Sequence, residues 1–144
     1  MTDEITGAVA ICKRDGKYLM LKHKAGFWSF PGGKVELEDF NIKEGLVREI
    51  NEELGLKQES YKLIETSVIN RFVYGKEKPK RAGNKGVTYY FLMDLIENIE
   101  LYPFAEIQEV GWFIKGEVLK KLFNKDMQGA FLKVESLRAT RLNN

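Results

Sequence analysis

Three glutamates, Glu49, Glu52 and Glu53, follow Arg48 in the run Arg48-Glu49-Ile50-Asn51-Glu52-Glu53-Leu54. At 100° per residue they share one arc of a helix. Ile42, Leu46, Val47, Ile50 and Leu54 make an apolar face of ordinary width beside that arc. Carboxylates at i, i+3 and i+4 repel one another by a few tenths of a kcal/mol per pair. Arg48, with Glu44 and Glu52 each one turn away, is the local counter-charge. An oxygen-rich stripe of this kind suits a hard divalent cation, above all Mg²⁺, which a few carboxylates hold together with substrate phosphates. The bland alternative is an acidic helix face that only meets water, the usual fate of a charge run.

The flanks favour a site. Asn41 stands where an N-cap belongs, with Glu44 three residues on, and Gly55 is the expected left-handed residue past the end, so a helix is predicted from Ile42 to Leu54. Gly45 lies on the carboxylate arc. Glycine costs a helix interior about 1 kcal/mol relative to alanine, which points to close approach by the preceding loop or by a ligand. Upstream, Phe27-Trp28-Ser29-Phe30-Pro31 is a short extended segment that Pro31 ends before the turn at Gly32-Gly33.

Gly33 through Leu56 resembles the Nudix box, G-x5-E-x7-R-E-U-x-E-E-x-G-U, where U is a bulky aliphatic residue. Arg48, Glu49, Ile50, Glu52, Glu53, Gly55 and Leu56 fill every defined position from the arginine onward. The first half departs from the pattern. Counting forward from Gly33 puts Asp39 where the first box glutamate belongs, whereas counting back from Arg48 puts Phe40 there. One extra loop residue leaves Glu38, Asp39 or neither in that role.

The resemblance implies an α/β fold, a Nudix-type α/β/α sandwich with a mixed β-sheet, and a pyrophosphate-cleaving enzyme that uses Mg²⁺, with Mn²⁺ as a substitute. Its expected substrate is a nucleotide or other small-molecule diphosphate: a nucleoside diphosphate linked to another group, foremost a (deoxy)nucleoside triphosphate. The metal would be held by Glu49, Glu52, Glu53 and the Gly32 backbone carbonyl. Arg48 would orient the glutamates, and Glu49 or Glu106 would take the proton from water.

The rest of the chain reads as scaffold and pocket. Gly7–Cys12 and Tyr18–Leu21 are strand-like runs joined at Asp15-Gly16, a hairpin turn signal. Tyr61–Tyr74 and Gly86–Leu95 read as two long strands, and Ile107–Phe113 as another. An amphipathic helix is predicted around Val118, Leu119, Leu122 and Phe123, and a last helix docked through Phe131, Val134 and Leu137. His23, the sole histidine, is expected at the surface or a pocket edge.

Length and composition set the outer bounds. A chain of 144 residues with 44% hydrophobic content is expected to be one domain with a core of its own. Net charge of +2 gives no reason to expect DNA as a partner. Cys12 lies in an apolar run and has no second cysteine to pair with. No signal peptide or 18-residue apolar stretch is present, so a cytoplasmic protein with no membrane association is expected. A homodimer is compatible with this reading. Neither a Walker A sequence nor a G-x-G-x-x-G turn opening a helix is found, which disfavours P-loop and dinucleotide-binding enzymes.

Substrate contacts are expected from Phe27, Phe72, Tyr74, Arg71, Lys80 and Arg81. The segment from Gly75 to Lys85 carries Lys76, Lys78, Lys80, Arg81 and Lys85 against Glu77 alone, and would steer a polyphosphate if it does more than meet water. Two alternatives stand beside the triphosphate. In the resembled family a tyrosine 16 to 18 residues past the box goes with dinucleoside polyphosphates, and Tyr74 lies 18 past Leu56. A non-catalytic nucleotide- or RNA-binding module on the same fold is the other, against which the intact, self-repelling stripe argues.

Overall fold

The computed structural model describes residues 4–76 and 79–142; Glu77 and Lys78 lie outside it. Among the described residues it contains seven β-strands and three α-helices. In chain order these are β1 (Ile5–Arg14), β2 (Lys17–His23), β3 (Trp28–Ser29), β4 (Gly32–Lys34), α1 (Ile42–Leu54), β5 (Tyr61–Val73), β6 (Lys85–Leu95), β7 (Ile107–Phe113), α2 (Lys115–Lys121) and α3 (Lys125–Leu142). Asp15 and Gly16, with φ of 53° and 77°, turn β1 into β2 as the hairpin signal predicts.

The sheet is mixed. Strand β1 pairs in parallel with β6 and antiparallel with β4, and β6 pairs antiparallel with β5. Beyond the β1–β2 hairpin, β2 carries β3 on one edge and β7 on the other. Alternation along β1 sends Ala8, Ala10 and Cys12 to one face, where Leu46, Ile50 and Leu54 of α1 cover them, and Ile11 to the other, where Val118 of α2 and Phe131 and Val134 of α3 lie. Each fully buried leucine or isoleucine contributes about 1.5–3 kcal/mol. Two cores, one per face, make the predicted α/β/α sandwich.

Helix α1 has the predicted bounds. Asn41 Oδ1 accepts the Glu44 N–H at 2.8 Å, and Gly55 adopts φ 66° and returns its N–H to the Asn51 carbonyl. Two expectations are corrected. Helix α2 stops at Lys121, so Phe123 falls in the link to α3 and is exposed. Leu137 is also exposed, because the buried stripe of α3 runs through Ala130, Phe131, Val134 and Arg138 instead. Strand β5 runs as one strand over nearly the predicted extent but bulges: residues 66–68 stand opposite Tyr90 alone, and the Thr66 hydroxyl stabilises this bulge by donating to the Tyr90 carbonyl at 2.6 Å.

Candidate active site

The α1 carboxylates meet the β4 glycines at the edge of the sheet. Gly32 N–H donates to Glu53 Oε1 at 2.8 Å. A Cβ on Gly33 would lie 2.7 Å from Glu49 Cδ, so only glycine lets β4 pass this close. Gly32 is equally constrained, since its φ is 142° and a Cβ there would lie 2.1 Å from the Ala8 carbonyl oxygen. Gly45 has the predicted role: its missing side chain makes room for the preceding loop, with Asp39 Oδ2 at 2.9 Å and the Val35 methyls at 3.2 Å from where a Cβ would stand.

Arg48 is the hub. Its Nε and Nη2 donate to the two oxygens of Asp39 at 2.9 and 3.0 Å, Nη2 also reaches the Lys34 carbonyl at 3.0 Å, and Nη1 donates to Glu49 and Glu52 at 3.2 Å each. Asp39 is therefore the residue the lengthened loop delivers to the arginine. Its other anchor is the Glu36 N–H at 2.7 Å, and the guanidinium holds its carboxyl below the usual carboxylate range. Glu38 and Phe40 remain exposed.

Burial pushes the Glu49 carboxyl up to about 7 against the pull of Arg48, with Glu52 and Glu106 adding like charge. Burial likewise pushes Glu53 up to about 8 against the stabilising Gly32 N–H. Glu52 is half exposed. Glu106 sits in the turn before β7, which is tied down by Phe104 N–H donating to the Glu53 carbonyl at 3.0 Å and Lys24 N–H donating to Glu106 O at 2.9 Å. Among the described residues no three acidic, histidine or cysteine side chains form a ready-made cage for a metal ion. The donors are nonetheless hard oxygens with too little positive charge around them, and Mg²⁺ characteristically takes only one or two carboxylates and completes its shell with water and phosphate. On that chemistry the residues fit the ion.

A cavity of about 260 Å³ opens on the other side of Gly32 and Gly33. Its floor is the sheet face carrying Gly7, Thr88 and Asn70, and its walls include Phe27, Phe72 and Phe123. Phe27 stacks on His23 at 4.2 Å between ring centres and lies 6.0 Å from Phe123, while Phe72 and Tyr74 meet edge to face at 4.8 Å. Arg81 lies 5.5 Å over the Tyr74 ring. Of the expected substrate residues, then, Phe27, Phe72, Tyr74 and Arg81 share one cavity, and His23 stands at its edge. Arg71 does not line it: strand alternation turns it away from Phe72, and it pairs with Glu4 at 2.8 Å. Lys80 is exposed and also outside the lining, as are Lys76 and Lys85; Lys78 lies outside the described residues. Several polar lining groups were missed, among them Asn70, Thr88, Lys34 and Asn124. Asn70 has the same strand parity as Phe72 and was recoverable by counting in twos; Asn124, in the α2–α3 link, left no signal.

The fold and site define an α/β/α sandwich whose mixed sheet sets an acidic, arginine-braced helix against a glycine strand. The chain belongs to the Nudix family: the NUDIX domain profile matches residues 1–133. Among curated proteins it is 47% identical over 53 residues to the CTP pyrophosphohydrolase of Escherichia coli K12, covering 33% of this chain and 38% of that protein. The matches to curated relatives span two fifths or less of those proteins' lengths. Among solved structures, a Caenorhabditis elegans Ap4A hydrolase complex superposes with a TM-score of 0.76 at 19% identity, covering 96% of this chain and 99% of that one. The E. coli dihydroneopterin triphosphate pyrophosphohydrolase gives 0.74 at 18%, covering 87% and 90%. At such identities these structures bear on the fold. Among the described residues no helix is long and apolar enough to cross a membrane.

Proposed function

We propose that this chain hydrolyses the pyrophosphate linkage of a (deoxy)nucleoside triphosphate with Mg²⁺ as cofactor. One observation carries the reading: Gly32 and Gly33 touch the Glu49 and Glu53 carboxylates and also line the aromatic cavity, so a base in the cavity puts its phosphates at the carboxylates. Glu49, Glu52, Glu53 and the Gly32 carbonyl would hold the metal. Bound there, Mg²⁺ supplies neutralisation of the anhydride oxygens and polarisation of the scissile phosphorus. Arg48, itself fixed by Asp39, keeps Glu49 and Glu52 facing the reaction centre. Glu49 or Glu106 would accept the proton from the attacking water. As the water oxygen bonds to one phosphorus of the anhydride, the bond from that phosphorus to the bridging oxygen breaks, and the bridging oxygen leaves on the other half, giving a mononucleotide and pyrophosphate.

A dinucleoside polyphosphate is the second reading, favoured by Tyr74 and Arg81 at the cavity mouth and by the substrate in the C. elegans enzyme's name. Incubation with pooled nucleotides in ¹⁸O-water, with Mg²⁺ and with chelator, tests both. Pyrophosphate release with a mononucleotide supports the first reading, and two mononucleotides from a dinucleoside substrate the second. A binding module would release nothing in any arm.

A further inference from the structure

We propose that Asn70 is the group with which this cavity reads the heterocycle of its substrate, an inference that rests on the nucleotide reading above. Asn70 is 8% exposed and lines the cavity. Two other polar or charged side chains are buried: Glu53 accepts from Gly32 N–H, and Arg138 bonds Asp94 and the Ile11 carbonyl through its Nη atoms while its Nε has no partner. Asn70 alone of the three has no side-chain hydrogen bond among the described residues. The enclosed side-chain atoms without a partner among the described residues are Tyr61 Oη and Arg138 Nε, so the Asn70 amide is not sealed in but opens on the cavity, where water meets it. A ligand in the cavity can take over the hydrogen bonds that water makes to this amide.

The surroundings are built to leave that amide open. Register puts Gly7 of β1, Thr88 of β6 and Asn70 of β5 in one row across the sheet. Gly7, with no side chain, keeps the space beside Thr88 clear. Of the other polar side chains around the cavity, the Ser29 hydroxyl pairs with His23 Nε2 at 2.8 Å, Asn124 Oδ1 accepts the Met127 N–H at 2.9 Å and Arg81 meets Tyr74, while Thr88 and Lys34 also line it. No carboxylate is among the lining residues described. The cavity thus offers no counter-charge to a cationic ring, and it offers phenylalanines for a ring to stack on. A carboxamide presents a donor and an acceptor in one plane, which pairs at two points with a ring edge carrying an acceptor beside a donor.

The test compares the wild type with Asn70→Leu, which keeps the size and removes both hydrogen-bonding functions. Steady-state kinetics on the four ribo- and four deoxyribonucleoside triphosphates are read beside tripolyphosphate, which has no ring. The variant is expected to lose about ten- to a hundredfold in kcat/KM on the preferred nucleotide. That loss should lie in KM, with the ranking across bases flattened, tripolyphosphate unaffected and Tm no lower than in the wild type. An unchanged ranking, or a fall in Tm with equal losses on every substrate, overturns the inference and leaves the hydrolase reading intact. If the wild type turns over no nucleotide, calorimetric binding of α,β-methylene nucleoside triphosphates decides instead. Base-selective binding that needs Asn70 keeps the inference while removing the hydrolase reading, and binding indifferent to Asn70 removes the inference as well.

Discussion

Glu53 is a carboxylate almost wholly removed from water, bonded to one N–H and facing three other acids, and its burial has a measurable consequence. Its folded-state carboxyl is raised from 4.5 to about 8. The native state therefore holds this proton more tightly than the unfolded chain. The resulting stability is full below about pH 4.5 and is lost as pH rises through about 8. In chelator, Tm should fall by a few degrees across that window, and Glu53→Gln should flatten the fall. Millimolar Mg²⁺ should raise Tm more at pH 8 than at pH 5.5, because protons compete for the same oxygens. A shift independent of pH would place the cation elsewhere. Kinetics separate the two halves of the box. Glu52→Gln should lower kcat by two orders of magnitude or more, about 2.7 kcal/mol. Asp39→Asn, which keeps an acceptor toward Arg48, should cost about tenfold or less. Equal collapse of both variants would put the Asp39 carboxylate at the reaction centre. Sequence alone yielded the stripe, because helical period fixes an arc, but it could not decide Asp39, because a loop has no period from which its one extra residue can be counted out.

Helix α1 shows how a local rule yields to a packing demand. Alanine at position 45 would favour the helix by about 1 kcal/mol on propensity alone. Here its Cβ would press on Asp39 Oδ2 and the Val35 methyls. Gly45→Ala is therefore expected to show no gain in Tm and to lower kcat by about as much as Asp39→Asn, since both loosen Arg48; a rise in Tm with full activity would refute the coupling. The cap behaves as an independent part, and Asn41→Ala should cost about 1 kcal/mol of stability with kcat unchanged. The bounds of α1 were legible because both ends carry cap residues. Strand β5 was legible in extent but not in its bulge, since Thr66 resembles any strand threonine until its hydroxyl is seen on the Tyr90 carbonyl. Phe123 misled for the opposite reason: it continues the apolar spacing of α2, yet the chain has already left the helix and places the ring at the cavity.

At the scale of the molecule, the sheet keeps its two tasks on different sides, with α1 and its carboxylates over one face and the cavity on the face shared with α2 and α3. The glycines of β4 connect them, since they line the cavity and meet Glu49 and Glu53. The basic segment after β5 divides in the same way, because Arg81 lines the cavity whereas Lys76, Lys80 and Lys85 are exposed outside it. Charges that touch the substrate and charges that only attract it respond differently to salt, since screening reaches within about 8 Å at 0.15 M ionic strength. Neutralising Lys76, Lys80 and Lys85 together should raise KM at low salt, leave kcat nearly unchanged, and lose most of its effect by about 0.15 M salt. Arg81→Gln should raise KM at every salt concentration, because a contact at the cavity wall is lost with the charge. Measuring KM for both variants from low to physiological salt decides between them. Parallel salt curves would mean that the whole segment acts at a distance, and no change in the triple variant at low salt would return the three lysines to a solvated turn with no part in substrate capture.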